Sequence, residues 1–169
     1  MLEHFQMSAA YNAWANEAVY DAAAPLSDAD YRADKGAFFG SLHRTLNHLL
    51  VTDRIWMKRM TGTGEAPATL DAILFEDFAS LQAARVAQDA HISAWIGTLT
   101  DTALAATFTY TPVSTPQPVT QRLAPVLAHL FNHQTHHRGQ CHTILTALGR
   151  PSVTLDMISF QRHAGKRWA

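Results

Sequence analysis

Apolar residues recur at helical spacing over four long stretches of the chain. Leu2, Phe5, Ala9, Trp14, Ala18 and Val19 predict a first helix over about 2–24, stopped by Pro25. Leu26-Ser27-Asp28 reads as a loop entering a short helical turn. Phe39, Leu42, Leu46, Leu49, Leu50 and Trp56 form the stripe of a second long helix, from Phe38 to Met60, ended by Thr61-Gly62-Thr63-Gly64. After a loop containing Pro67, the longest periodic run extends from Asp71 to Leu99. The pattern then changes. Thr107 to Thr111 alternates with period two, and Pro112, Pro116 and Pro118 break any helix, which predicts a short extended excursion or hairpin near 106–119. Helical spacing resumes from Thr120 to Leu148, closed by Gly149 and Pro151, with Pro125 early enough to be tolerated. A short last helix is expected over about 155–164.

Four long helices joined mostly by short loops predict an all-α protein, a four-helix bundle. At 169 residues, one domain over 1–169 is the expectation. Charged residues make up only 16% of the chain and hydrophobic ones 47%, so much of each helix must be packed. With Trp or Phe in every long helix, apolar surface should remain after one bundle closes, which points to a homodimer. The net charge of -1 argues against a nucleic-acid surface or an anionic membrane as partner. No stretch approaches the ~18 apolar residues of a membrane span. Neither a basic start nor an apolar run marks the first twenty residues, and Cys141 is the single cysteine, so a cytoplasmic protein without an intrachain disulfide is expected.

The unusual feature is histidine. There are ten, and five lie between His129 and His142. Composition alone would give about 0.6 His pairs spaced four apart; the chain has two, 129/133 and 133/137. On a helix such pairs stack on one face, at a separation one metal ion can bridge. Val126, Leu130, His133, His137, Cys141 and Ile144 share a stripe, so these two imidazoles fall on an otherwise apolar face. Buried there, they need either a metal or hydrogen-bond partners of their own. A third ligand must come from another helix. His48 is flanked by Leu46, Leu49 and Leu50, whereas His43 lies about 140° away round the helix, so both cannot face one ion. His48 is preferred.

Asn47-His48-Leu49-Leu50, His133-Gln-Thr-His136-His137-Arg138-Gly139-Gln140 and Leu155-Asp156-Met157-Ile158 together resemble the DinB/YfiT-like family, over nearly the whole chain. The resemblance implies an up-down-down-up four-helix bundle, often dimeric, with a three-histidine metal site at His48, His133 and His137. Three neutral imidazoles with an open position form a catalytic type of site. Zinc or nickel suits such a set, with iron, manganese or cobalt as alternatives. Imidazole protonation should compete with the ion below about pH 6.

Other residues have two readings each. His129 and His136 are either supports of the site or contacts at the bundle edge. Arg138 and Gln140 are read as helix-packing groups rather than substrate ligands, Asp53 as a solvent-exposed carboxylate rather than an imidazole partner, and Cys141 as a small core residue. Trp14, Trp56 and Trp95 are core or pocket-wall residues. Functionally, a metal-dependent enzyme acting on a small-molecule substrate, a thiol transferase or hydrolase, competes with a non-catalytic metal-binding or stress-response module. A bundle whose histidines are merely packed is the third reading. The catalytic residues and the substrate are not specified by the chain.

Overall fold

The periodic stretches become four long helices whose ends are set by local chemistry. The computed structural model describes residues 1–113 and 115–169. In chain order the elements are α1 (Leu2–Ala23), α2 (Asp28–Arg32), α3 (Leu42–Thr61), α4 (Phe78–Gly97), α5 (Asp101–Ala105), β1 (Thr107–Tyr110), β2 (Val119–Arg122), α6 (Leu123–Ala147) and α7 (Met157–His163), then a 3₁₀ turn, Lys166–Trp168.

Three boundaries differ from the periodic reading. Helix α3 starts four residues after Phe38, because the Ser41 hydroxyl accepts from Arg44 N–H and caps it. Phe38 and Phe39 thereby fall in the preceding turn. Helix α4 starts at Phe78 rather than Asp71, with Asp77 as its cap accepting from Ser80 N–H at 2.8 Å. Residues 71–77 are held out of the helix by buried Asn47 of α3. Its Oδ1 accepts from Leu74 and Phe75 N–H at 2.8 and 3.0 Å, and its Nδ2 donates to Phe75 O at 3.1 Å. Residues 120–122, read as helix, pair instead with β1 in an antiparallel hairpin, Phe108 opposite Gln121 and Tyr110 opposite Val119. The excursion is therefore real and extends three residues further; Ser114 within it lies outside the described residues. Helix α6 closes with Gly149 at φ 73°, where Gly149 and Arg150 N–H return to Thr146 and Leu145 O, as a Schellman motif requires.

Helix α1 lies between α4 and α6, and α3 lies between the same two on the opposite side. Their directions follow from who meets whom. His48 faces His133 while Trp56 faces His129, so α3 and α6 run antiparallel. Asn16 bonds Asp89 and Tyr20 packs on Phe78, so α1 and α4 are antiparallel too. Phe5 packs near Leu127 and Tyr20 near Cys141, so α1 runs parallel to α6. Likewise Leu46 packs near Leu81 and Met57 near Ile92, so α3 runs parallel to α4. The order is up-down-down-up. Among the described residues no helix is long and apolar enough to cross a membrane.

Two apolar clusters fill the two ends of the bundle, one around Leu42, Leu46, Leu50 and Ile144, the other around Ile92, Ile96 and Leu127. Between them runs a closed belt of buried polar groups touching all four long helices. Asp53 of α3 pairs with Arg85 of α4 at 2.7 Å, and Arg85 forks onto Asp89 at 2.8 and 3.1 Å. Asn12 and Asn16 of α1 donate to Asp89 and accept from Arg138 of α6. Gln134 of α6 accepts from Arg138 and donates to Leu49 O, back on α3. Asp53, expected at the surface, is fully buried because Arg85 offers it a charge partner inside the bundle. Burial opposes the Arg85 charge, but Asp89 and Asp53 outweigh it and hold its pKa above the ordinary value.

Candidate metal centre

Helix α6 carries His133 and His137 one turn apart on its α3-facing side, and α3 presents His48 across the seam. The His48 and His133 Nε2 atoms are 3.3 Å apart, and one ring nitrogen from each of His48, His133 and His137 lies within 4.8 Å of the others. Ring centroids are separated by 4.5–5.1 Å. Nitrogens bound at 2.0–2.1 Å to a tetrahedral ion stand about 3.3 Å apart, so the cluster needs little closure to hold one.

The remaining ring nitrogens are occupied in a way that frees the converging ones. His48 Nδ1–H donates to Leu70 O at 2.7 Å; a carbonyl can only accept, so Nε2 keeps its lone pair. His137 Nδ1–H donates to Gln140 Oε1 at 2.8 Å. Gln140 is oriented by its own amide group, which donates to His136 Nε2 at 3.2 Å. Such outer contacts fix tautomer and ring angle in metal sites. Phe39 stacks on the His48 ring at 4.0 Å and covers one side of the cluster.

Burial keeps these imidazoles neutral, the form that ligates a metal. It pushes His48 down to about 4, with Leu70 O partly opposing and His137 adding to the shift. His133 falls to about 3 through burial and then through its histidine neighbours. His137 is lowered for the same first reason, with Gln140 opposing.

A cleft of about 210 Å³ opens onto His48 and His133, walled by Trp56, Tyr110, Leu70 and Val113. Larger hollows, among them one of about 450 Å³ beside Phe5 and Pro125 and one of about 600 Å³ between α1 and α4, lie away from the three histidines.

The other sequence candidates scatter. His43 points away from the cluster, its Nε2 3.2 Å from Phe75 O. His129 is exposed at the cleft edge against Trp56. His136 is exposed; it accepts from Gln140 and meets the His137 ring edge-on at 4.8 Å. Arg138, read as a packing group, is buried in the polar belt, bonding amides rather than an acid. Cys141 is fully buried in the core, its thiol pushed up to about 12 by burial, which suits a packing role. Trp14 packs on Phe160, and Trp95 on the Ile92 cluster. Three contributors were not anticipated: Phe39, Leu70 O, and Gln140 as the His137 partner. Only Gln140 left a signal, three residues after His137 on the same helix.

Compared with known proteins, the chain is matched over residues 1–168 by the family model for the DinB family. A crystal structure of a DinB-like protein from Bacillus cereus is similar to it, with a TM-score of 0.68 and 18% identity over 90% of this chain and 95% of that one. At that identity the likeness speaks for the fold alone. No curated protein matches the chain.

Proposed function

The chain belongs to the DinB family, and we propose that His48, His133 and His137 together bind one divalent metal ion in a metal-dependent enzyme of thiol-transferase or hydrolase type. The observation that carries this reading is the convergence of three neutral ring nitrogens within 4.8 Å, with His48 and His137 each held by a hydrogen bond on the opposite nitrogen. Zinc or nickel suits three imidazoles; iron, manganese or cobalt can occupy the same set. A bound ion of this kind lowers the pKa of a water or thiol in its open position and polarises a carbonyl.

The chain's own contributions are positional. Leu70 O and Gln140 hold two rings in place, Phe39 keeps water off one face of His48, and the cleft admits a small molecule from the other side. No carboxylate lines that cleft among the described residues, which sets it apart from a two-histidine, one-carboxylate oxygenase site. We also read the chain as a homodimer. Val86 is 64% exposed beside the hollow between α1 and α4, apolar surface that one bundle leaves uncovered. A monomer mass by light scattering at tens of micromolar would remove that part.

The test begins with the metal content of untagged protein. Glutathione, bacillithiol and mycothiol are then each offered with an electrophile, with and without chelator. Chelator-sensitive consumption of thiol supports a transferase; ester or amide cleavage sensitive to chelator supports a hydrolase. Stoichiometric metal without turnover leaves a metal-holding module, and metal-free protein ends the reading.

A further inference from the structure

One permanent charge lines the cleft, and nothing in the histidine cluster uses it. Arg59 follows His48 by eleven residues on α3, about three turns, so the two side chains share one face, along with Thr52 and Trp56. Its guanidinium lies over the Trp56 ring at 4.7 Å and the Tyr110 ring at 4.8 Å, clamped between helix and hairpin. Of its five N–H donors, one goes to Thr111 O at 3.2 Å. Among the described residues it forms no salt bridge although it is half-buried; Arg54 and Arg150 share that trait, but neither lines this cleft.

A half-buried cation held by two aromatic faces keeps its remaining donors free for an anion that enters the cleft. Desolvation lowers its pKa, which marks the charge as poorly compensated within the chain. The stacking leaves the outer edge of the guanidinium fork available, the geometry that matches a carboxylate with two parallel bonds.

We propose that Arg59 is the anion-recognition group of this cleft, selecting small organic acids whose carboxylate it binds while the opposite end of the molecule reaches the histidine cluster. The size is set by the fold. Eleven residues span about 16 Å of helix rise, shortened because Arg59 leans back over Trp56 toward His48. The cleft volume of about 210 Å³ lies below the ~300–1,000 Å³ of drug-sized sites. The proposal rests on the metal reading only for the far end of the ligand; the Arg59 end stands by itself.

Two pairs of probes separate the ends. Hexanoate and hexanamide differ only at the group offered to Arg59; 6-mercaptohexanoate and its amide add a thiol for the metal end. Binding to the purified, metal-assayed protein is followed by titration of the Trp56 indole N–H signal in nitrogen-15 spectra, beside Arg59→Gln and Arg59→Lys. In each pair the acid should bind the native protein about tenfold or more tightly than the amide, as a charge-assisted contact implies. Arg59→Gln should erase the preference with an unchanged melting temperature, and Arg59→Lys should keep part of it. Equal affinity of acid and amide for the native protein, or a preference surviving in Arg59→Gln, overturns the proposal. If the thiol pair binds no better than the thiol-free pair and ignores chelator, the metal reading fails while the acid preference still supports Arg59.

Discussion

Replacing Asn47 by alanine should weaken the fold and the site together, although Asn47 is not one of the three histidines. The side chain is fully buried and makes four hydrogen bonds: two accepted from Leu74 and Phe75 N–H, one donated to Phe75 O and one to His43 O. The last two share the amide nitrogen, whose two hydrogens serve one acceptor each. Alanine orphans two backbone N–H groups of the loop and leaves the Phe75 carbonyl with His43 Nε2 as its remaining side-chain partner. With a net value of about 1 kcal/mol per bond and partial rehydration of the loop, the loss of stability is about 3 kcal/mol. At this chain length that corresponds to a melting temperature lower by roughly 6–12 °C. The same loop carries Leu70 O, the acceptor that fixes the His48 tautomer. Once residues 70–75 detach from α3, His48 loses that anchor, and loss of such a partner costs about 10- to 100-fold in metal affinity. The assays are denaturant unfolding of metal-free protein and competition with a chromophoric chelator for zinc. If stability falls as stated while zinc affinity stays within twofold, the coupling of the loop to His48 is wrong. If stability changes by less than about 1 kcal/mol, the burial argument for Asn47 fails first.

Three further outcomes are expected. His48→Ala, His133→Ala and His137→Ala should each lose stoichiometric metal and retain helical circular dichroism, whereas His142→Ala and His163→Ala should keep the metal; elemental analysis decides, and retention by all three principal variants would dismiss the site. Metal-free stability should be full above about pH 6.5 and fall as pH drops toward 4 and then 3, because below 6.5 the unfolded chain binds protons that folded His48 and His133 refuse. For the same reason bound metal should survive at pH 6 and be lost nearer pH 4, lower than free imidazole would give; loss complete at pH 6 would contradict the depressed values. Arg85→Met should cost about 3–5 kcal/mol in denaturant melts by leaving Asp53 and Asp89 buried without their cation; a neutral change would mean that the belt is hydrated.

The helices were legible because their apolar stripes are long, and the hairpin because Thr107–Thr111 switches period. The helix starts at 42, 78 and 123 were not. Each is decided by a local competitor to periodicity: the Ser41 cap, the Asp77 cap with the Asn47 clamp, and pairing of Thr120 with Thr109. The histidine pair on α6 could be read from spacing alone. His48 had to be chosen over His43 by its angular position, and the structure brings His48, not His43, to the pair. Asp53 was misread because a single carboxylate on an amphipathic helix looks solvated until its partner, Arg85 on another helix, is known. Leu70 O and Phe39 left no trace, since a backbone carbonyl and a turn aromatic acquire their roles only through tertiary approach.

The hairpin divides labour within the molecule. All three histidines and the polar belt stand on helices, whereas Tyr110, Pro112 and Val113, which shape one wall of the cleft, stand on a two-stranded ribbon attached to the bundle mainly through Phe108 and Tyr110. Chain length can change in such a ribbon at a cost of only about 0.6 kcal/mol per doubling of the loop. Exchange of residues 107–122 between related bundles is therefore a route by which selectivity can diverge, in nature or by grafting, while the histidine cluster remains where the helices put it.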